Sequence, residues 1–447
     1  MRNHRACGLR RQGAALYGTR TIASGTRLVE HFAAQQVHPC YAVNEPRIGI
    51  GAPVERIRGG CFWWKPRALS ATEPGFPGYR HDAARTLGDS VVDTRWAIFG
   101  TGGISAKFVS GLRHAKGAKP QLVVSRSAES GRRFAQAFGI PEVAEGYDSV
   151  TAASPFDVAY IATPPSEHAR HAIACIEAGK AVLIEKPFAS SVAEARRIAD
   201  AARAQGVFCM EAMWTRFNPA ARRLRDLIRD GAIGEVRQAH GAFCFTNKPD
   251  AANTSFDPQR GGGALAQLGV YPISLLHWLF GAPEGVEAFG RIGDTGVEED
   301  AAISLRFAGG AVATVNTSLR ALGDNGLRIG GTHGSIAFEG PIFRPYGVRV
   351  QRMAPRRKGS DTGLGRKALL REQGLPQKLS QWHGLLTRSG KVDRQLFAGN
   401  GYHYQVEEVG RCLAAGLQES PEMTLADSIA VMETMDTVRE RIGGQGK

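Results

Sequence analysis

Near its centre the chain reads AVLIEKPF, from Ala181 to Phe188. Four apolar residues in succession predict a buried strand of a parallel sheet. In an open parallel sheet, ligands bind beyond the carboxyl ends of the strands, so Lys186 would point its ammonium into a binding crevice. Pro187 stiffens this position because it fixes its own backbone and restricts the residue before it. The alternative is a surface lysine in a strand-to-helix turn.

A glycine-rich turn follows the first predicted strand, Arg95–Phe99. Its pattern is G-x-G-x-x-S, in which Gly100 permits the tight turn and Gly102 lets the backbone approach a pyrophosphate. The predicted helix that follows would offer its N-terminal amides to the same group, and Ser105 is small enough for close packing. The predicted cofactor contacts here are Gly100, Thr101, Gly102, Gly103 and Ile104.

The second predicted strand, Gln121–Val124, ends in Ser125-Arg126. An NAD site favours an acid at this point, to bind the ribose 2′-hydroxyl. A hydroxyl and a guanidinium suit a 2′-phosphate instead, so Ser125 and Arg126 predict NADP, with NAD possible. The alternative for Arg126 is a solvated loop residue.

Two later strand ends complete the predicted cofactor cleft. Val158–Ala162 runs into Thr163 and Pro164, and His168 either lines the cleft or lies in the first turn of the next helix. The apolar strand at 181–184 ends at Glu185, a further predicted contact. Strand and helix alternate throughout, which predicts a Rossmann domain over 91–216 with a doubly wound parallel sheet.

After Pro219 the pattern changes to longer, alternating strands, which predict an α+β domain over 217–447 with an open, largely antiparallel sheet. An apolar helix interrupts them and carries Gln267 and Tyr271 at positions i and i+4, on one face. A buried tyrosine on a helix is usually a core residue, which is the alternative to a functional role. Two amphipathic helices are predicted over 399–447.

The charge is concentrated in two segments. Residues 1–90 carry 13 Lys/Arg against 6 Asp/Glu, and residues 346–398 carry 12 against 3, which leaves −2 of the total of +14 for the rest. Neither segment interleaves aromatic and basic residues, so we expect no nucleic-acid site. Residues 1–90 predict a disordered or non-native extension, with a targeting role as the alternative, and 346–398 a basic insertion over the sheet or beside the cleft. We expect neither a membrane span nor a metal site.

The chain from Arg95 to Gly443 resembles the Gfo/Idh/MocA oxidoreductases. The resemblance rests on the Gly100–Ile104 turn, Glu185-Lys186-Pro187, Met210–Phe217, Gly261–Tyr271 and Gly401-Tyr402. Within the family the chain looks most similar to the branch of dimeric dihydrodiol dehydrogenase and glucose–fructose oxidoreductase. The resemblance implies a Rossmann domain followed by an open-sheet domain, and it implies a homodimer or a higher homo-oligomer.

The resemblance also implies residue roles. Lys186 and Tyr271 would be catalytic, with the pKa of Tyr271 lowered by Lys186. Trp214, Arg216, Gln267 and Tyr271 would face the substrate. Gln267 stands where the family usually has an aspartate, and an amide cannot take a proton from a substrate hydroxyl. This departure puts catalytic competence or the usual substrate in question.

The sequence thus predicts an NADP-preferring cytoplasmic oxidoreductase that moves hydride to or from a hydroxyl-bearing carbon of a sugar, polyol or cyclic diol. Two alternatives stay open: a non-catalytic NADP-binding protein of the same fold, and a sugar–sugar oxidoreductase with tightly bound NADP.

Overall fold

The computed structural model describes residues 92–353, 378–379, 382 and 390–444. The predictions for residues 1–90 and for the middle of the 346–398 segment lie outside the described residues. Within the described ranges one helical stretch, Pro258–Phe280, is long and apolar enough to cross a membrane. Because 83% of its apolar window is buried inside the protein, it has the environment of a core helix.

The first sheet of the described chain has six parallel strands. They are β1 (Thr94–Phe99), β2 (Ala118–Ser125), β3 (Glu142–Glu145), β4 (Val158–Ile161), β5 (Ala181–Ile184) and β6 (Cys209–Glu211). Their order is β3-β2-β1-β4-β5-β6, that of a Rossmann fold, so the predicted doubly wound sheet is confirmed. Strand β3 was not predicted, because it is a short, half-exposed edge strand with a glutamate at each end.

Helices connect these strands. They are α1 (Gly103–Leu112), α2 (Ala128–Phe138), α3 (His168–Glu177), α4 (Val192–Gln205) and, after β6, α5 (Pro219–Arg229). The side chain of Ser191 caps α4 by accepting a hydrogen bond from the amide of Glu194, and Gly206 ends it in a left-handed conformation. These signals are local in the sequence, because a serine stands directly before the helix and a glycine directly after it.

The second sheet has eight strands within the described residues. They are β7 (Val236–Cys244), β8 (Pro283–Ile292), β9 (Glu298–Phe307), β10 (Val312–Ser318), β11 (Leu327–Gly331), β12 (Gly334–Glu339), β13 (Gly347–Arg352) and β14 (Lys391–Arg394). Their order is β14-β13-β12-β11-β7-β10-β9-β8. The neighbours β7 and β10 are parallel and the other pairs are antiparallel, so the predicted largely antiparallel sheet is confirmed.

The prediction of a basic insertion over 346–398 is corrected at the two ends of the segment, while its middle lies outside the described residues. The two ends of this segment are strands β13 and β14 at the edge of the second sheet, not an insertion over it. Their charged residues hid the strand pattern, because edge strands often carry Lys and Arg that discourage pairing with other chains.

Three further helices join the two sheets. They are α6 (Val270–Phe280), preceded by a π-helical turn at Leu265–Gly269, α7 (His403–Ala414) and α8 (Leu425–Gly443). Helix α8 packs against α4 of the first domain and against α6 and β8 of the second. Helix α7 packs against α1 and against the 3₁₀ turn at Trp214–Phe217. This packing brings the start of α6 to the carboxyl end of β5.

Candidate active site

A cavity of about 580 Å³ lies at the carboxyl ends of β1, β2, β4 and β5 and reaches the π-helical turn before α6. Its size and place are those of ligand sites in open α/β sheets. It is lined by Gly100, Thr101, Gly102, Ile104, Ser125, Arg126, Ser127, Ser130, Tyr147, Ala162, Thr163, Pro164, Pro165, His168, Glu185, Lys186, Thr254, Gln267 and Tyr271.

The glycine turn has the geometry that a bound pyrophosphate needs. Gly100 has a φ of +99°, and a Cβ there would lie 2.9 Å from the carbonyl oxygen of Ala162, so a side chain would be strained and crowded. Gly102 is the N-cap of α1 and has no side chain to satisfy the first-turn amides. A Cβ at Gly102 would meet nothing within 4 Å, which leaves room for a ligand. These residues fit a dinucleotide, although Gly103 starts α1 without lining the cavity.

The β2 end of the cavity contains more hydroxyl groups than Ser125, the one that was predicted there. Ser127 caps α2 by accepting from the amide of Ser130, and the Ser130 hydroxyl lies 2.7 Å from that of Thr101. Together with Ser125 and Arg126, they place a helix N-terminus, hydroxyls and a guanidinium around one space. An N-cap serine after a strand could have revealed Ser127, whereas no sequence signal brings in Tyr147 or Thr254 from elsewhere in the chain.

Lys186 connects the two domains inside the cavity. Its ammonium donates a hydrogen bond to the main-chain oxygen of Gln267, at 2.9 Å. It also lies over the ring of Tyr271, 5.3 Å from the centroid. Burial lowers the pKa of Lys186, and the carboxyl groups of Glu185 and Glu211 oppose that shift. The expected meeting of Lys186, Gln267 and Tyr271 is therefore present, and a π-helical turn, a feature frequent at functional sites, forms it.

The electrostatics of Tyr271 differ from the prediction. Burial raises its pKa, and the hydrogen bond that its hydroxyl accepts from Trp214 Nε1, at 3.3 Å, opposes this only in part. The carboxyl groups of Glu185 and Glu211 raise the pKa of Tyr271 further, so burial and negative charge outweigh the nearby Lys186 ammonium. The prediction of a lowered pKa was wrong, and Tyr271 is a protonated phenol at neutral pH.

His168 lines the cavity and is 1% exposed. Its Nδ1 lies 3.0 Å from the carbonyl oxygen of Pro187, and its Nε2 lies 2.9 Å from that of Thr163. Burial lowers the pKa of His168 to about 4, so the neutral ring has one N–H to donate between two carbonyls. His168 therefore donates one hydrogen bond, either to the turn after β4 or to the segment that carries Lys186, and its ring packs between the two.

Two predicted substrate contacts are corrected. The guanidinium of Arg216 is fully buried away from the cavity, where it donates to both the side chain and the main chain of Ser274 and pairs with Asp427 at 3.0 Å. Arg216 therefore joins α6 to α8. Trp214 does not line the cavity, but it stacks on Tyr402 and supports the Tyr271 hydroxyl.

The chain matches two family profiles. Residues 94–213 match an oxidoreductase family with an NAD-binding Rossmann fold, and residues 221–337 match the Gfo/Idh/MocA C-terminal domain. A protein from Mus musculus named trans-1,2-dihydrobenzene-1,2-diol dehydrogenase is 32% identical over 355 residues, which is 78% of this chain and 97% of the relative. The chain belongs to the Gfo/Idh/MocA oxidoreductase family. Its predicted class, an NAD(P)-dependent oxidoreductase acting on CH–OH groups, is confirmed.

Solved structures share the Gfo/Idh/MocA fold with this chain. A 3-ketoreductase from Actinomadura kijaniata, in complex with NADP and TDP-benzene, has a TM-score of 0.64 at 22% identity and covers 79% of this chain and 98% of its own. Levoglucosan dehydrogenase, in complex with NADH and levoglucosan, also has a TM-score of 0.64 at 22% identity, covering 78% and 97%.

A buried carboxyl behind the site of this Gfo/Idh/MocA protein makes stability depend on pH. Glu211 is 1% exposed, and burial raises its pKa from 4.5 to about 7. Between pH 4.5 and 7 the folded state therefore keeps a proton that the unfolded chain has lost. The free energy of unfolding gained from this proton is lost as the pH rises through 7. As the pH rises from 5.5 to 8.5, this carboxyl should lower the parent's free energy of unfolding by roughly 2 kcal/mol. Glu211→Gln, which has no carboxyl there, should not show this decrease.

Urea unfolding of parent and variant at both pH values measures this difference. The same substitution at Glu287, whose side chain is 72% exposed, controls for the general loss of a carboxylate. If the difference in free energy of unfolding between Glu211→Gln and the parent were the same at pH 5.5 and 8.5, the prediction would be contradicted.

Proposed function

We propose that this Gfo/Idh/MocA protein is an NADP-preferring oxidoreductase that moves hydride to or from a hydroxyl-bearing carbon of a cyclic diol, sugar or polyol. The proposal is carried by the meeting of Lys186 and Tyr271 in the cavity that holds the glycine turn. The relatives named as dihydrodiol dehydrogenases, of which this chain covers 97%, support it. So do the fold neighbours named for sugar substrates.

The roles follow from where the groups lie. When bound, the nicotinamide supplies or takes up the hydride. The Lys186 ammonium, placed at the carboxyl end of β5, stabilises negative charge on the substrate oxygen. Tyr271 is protonated, so in carbonyl reduction its hydroxyl donates the proton to that oxygen and becomes a phenolate. In the reverse direction only this phenolate form can take the proton from the substrate hydroxyl. Gln267 contributes its main-chain oxygen to hold Lys186, a role that does not need the family's usual carboxylate.

The preference for NADP rests on the β2 end of the cavity. Arg126 lies there with Ser125, Ser127 and Ser130, and the N-terminus of α2 adds the positive end of its dipole. These groups suit a dianionic 2′-phosphate, which an acid at the end of β2 would repel.

Arg126→Ala should weaken the binding of NADPH by about 10–100-fold and leave NADH affinity nearly unchanged. The reason is the loss of a charge-assisted hydrogen bond, worth about 1.5–3 kcal/mol. Cofactor fluorescence titrations measure both constants. Arg132→Ala, on the exposed surface of α2, is the matched control. An equal loss for the two cofactors would show that Arg126 does not contact the phosphate.

An aromatic cluster beside Tyr271 supports a ring-bearing substrate. Phe243 makes an edge-on contact with the Tyr271 ring, with centroids 5.2 Å apart, and Phe343 stacks on Phe243 at 5.3 Å. Phe245 also packs against the Phe243 ring and is 40% exposed. The three phenylalanines do not themselves line the cavity, but Phe245 extends this aromatic surface from Tyr271 to solvent. An aromatic surface favours the apolar face of a cyclic diol or pyranose over an open-chain polyol.

A turnover assay tests the proposal. It compares trans-1,2-dihydrobenzene-1,2-diol, cyclic sugars and open-chain polyols, each with NADP⁺ and NAD⁺. We expect the highest kcat/KM for a ring-bearing substrate with NADP⁺. NADPH binding without turnover on any of them would favour the non-catalytic alternative. Cofactor that stays bound through purification and cycles between two sugars would favour a sugar–sugar oxidoreductase.

We also propose a homodimer or higher homo-oligomer, from the family resemblance, and a cytoplasmic location, from seven scattered cysteines with no C-x-x-C pair. Light scattering on the purified chain tests the first, since a monomer mass would contradict it. Cell fractionation tests the second, and recovery outside the cytoplasmic fraction would contradict it.

A further inference from the structure

Tyr160 and Glu185 form a buried hydrogen-bonded pair directly behind Lys186. Tyr160 lies on β4, and the sheet register pairs it with Leu183 on β5. Side chains alternate along a strand, so Glu185, two residues beyond Leu183, points to the same face as Tyr160. The Tyr160 hydroxyl donates a hydrogen bond to Glu185 Oε1. The two side chains are 0% and 5% exposed.

The second carboxyl oxygen of Glu185 is also engaged. Its Oε2 accepts a hydrogen bond from the main-chain amide of Lys186, at 3.1 Å. Tyr160 is itself fixed, because its ring stacks on Phe108 with centroids 3.6 Å apart. The carboxyl group is therefore held at both oxygens, by a hydroxyl from the neighbouring strand and by the amide of the residue whose ammonium enters the cavity.

We propose that Tyr160 and Glu185 are positioning residues for Lys186. They hold a negative charge that keeps its ammonium protonated, and they fix the main chain from which it projects. The inference rests on the role of Lys186 in the proposed function. It gives Glu185 a role in addition to the predicted contact with the cofactor.

The groups around Lys186 support this assignment. Burial lowers the pKa of Lys186, and the charge of Glu185 opposes this shift more than that of Glu211. Glu211 is the last residue of the neighbouring strand β6. On the side of α6, Lys186 meets the ring of Tyr271 and the main chain of Gln267, neither of which is charged at neutral pH. Tyr160, Tyr271 and Tyr402 face Glu185 as buried phenols. Burial also raises the pKa of Glu185, and the hydrogen bonds that its carboxyl accepts from Tyr160 and from the Lys186 amide oppose this shift. These two donors therefore favour the charged carboxylate in a site that otherwise disfavours an ammonium.

Chemical labelling of Lys186 tests the proposal without any substrate. Acetic anhydride reacts with neutral amines, so the extent of acetylation at Lys186 against pH, measured by peptide mass spectrometry, gives its titration midpoint. We expect Glu185→Gln to shift this midpoint down by at least one pH unit, which means about tenfold faster labelling below the midpoint. Lys180, whose ammonium donates to the main chain of Ser154, is the internal control and should label as in the parent.

Two further variants make the result decisive. Tyr160→Phe removes the donor that stabilises the carboxylate, so it should shift the Lys186 midpoint in the same direction by less. Glu211→Gln should shift it less than Glu185→Gln.

An unchanged Lys186 midpoint in Glu185→Gln, or a larger shift in Glu211→Gln, overturns the proposal. If Glu185→Gln does not fold, the Tyr160→Phe midpoint decides alone. A failed turnover assay with a shifted midpoint would count against the proposed function only.

Discussion

Lys186→Ala is expected to lower kcat by about 10²–10⁴-fold on a confirmed substrate. The ammonium of Lys186 lies at the carboxyl end of β5, beside the Tyr271 ring, where negative charge develops on the substrate oxygen. The other cation that lines the cavity in the described chain, Arg126, lies at the β2 end and cannot replace it. Stopped-flow and steady-state measurements of cofactor absorbance give the rate.

The lysine also donates to the main chain of Gln267, so truncation could act through packing. Lys186→Met keeps the length of the apolar stem and removes the charge together with this hydrogen bond, and it should lose as much turnover as Lys186→Ala. NADPH affinity should change by no more than a few-fold in both variants. Turnover within tenfold of the parent in Lys186→Met would show that the charge is not needed.

Tyr271→Phe is expected to lower kcat by about 10²–10⁴-fold as well, with NADPH affinity nearly unchanged. The substitution keeps the ring that packs against Phe243 and removes only the hydroxyl. Because burial keeps this hydroxyl protonated at neutral pH, its loss removes the proton donor for the substrate oxygen. The same cofactor assay measures the effect.

Tyr402→Phe is the matched control for Tyr271→Phe. Tyr402 is also a buried tyrosine near Glu185 and Trp214, but it does not line the cavity, so its variant should stay within tenfold of the parent. If Tyr271→Phe turned over like the parent, Tyr271 would be a core residue, and the proton would come from Lys186 or from water.

Much of the candidate site is encoded in short local patterns. The glycine turn between β1 and α1 was predictable because a strand, a tight turn and a helix N-terminus are adjacent in the chain. Lys186 was predictable because an apolar run stops at a charge, and parallel strands end at one edge of a sheet. The resemblance supplied Tyr271, which a buried position on an apolar helix would not reveal.

Predictions failed where a residue's environment comes from distant parts of the chain. Arg216 follows a strand end and looked like a substrate contact, but Asp427 and Ser274, distant in the sequence, surround it with partners in the core. The pKa of Tyr271 depends on how completely α6 is covered, which composition does not show.

The sequence by itself determined the doubly wound parallel sheet of the first domain, the mainly antiparallel second sheet, and the cofactor and lysine ends of the cavity. These follow from hydrophobic periodicity and from turn residues, which act over a few positions. Only the tertiary structure decided which side chains share the cavity, since helix α8 and the π-helical turn bring α6 to the end of β5. It also decided the protonation of Tyr271 and the countercharge of Lys186, because burial and register, unlike residue type, are properties of the folded chain.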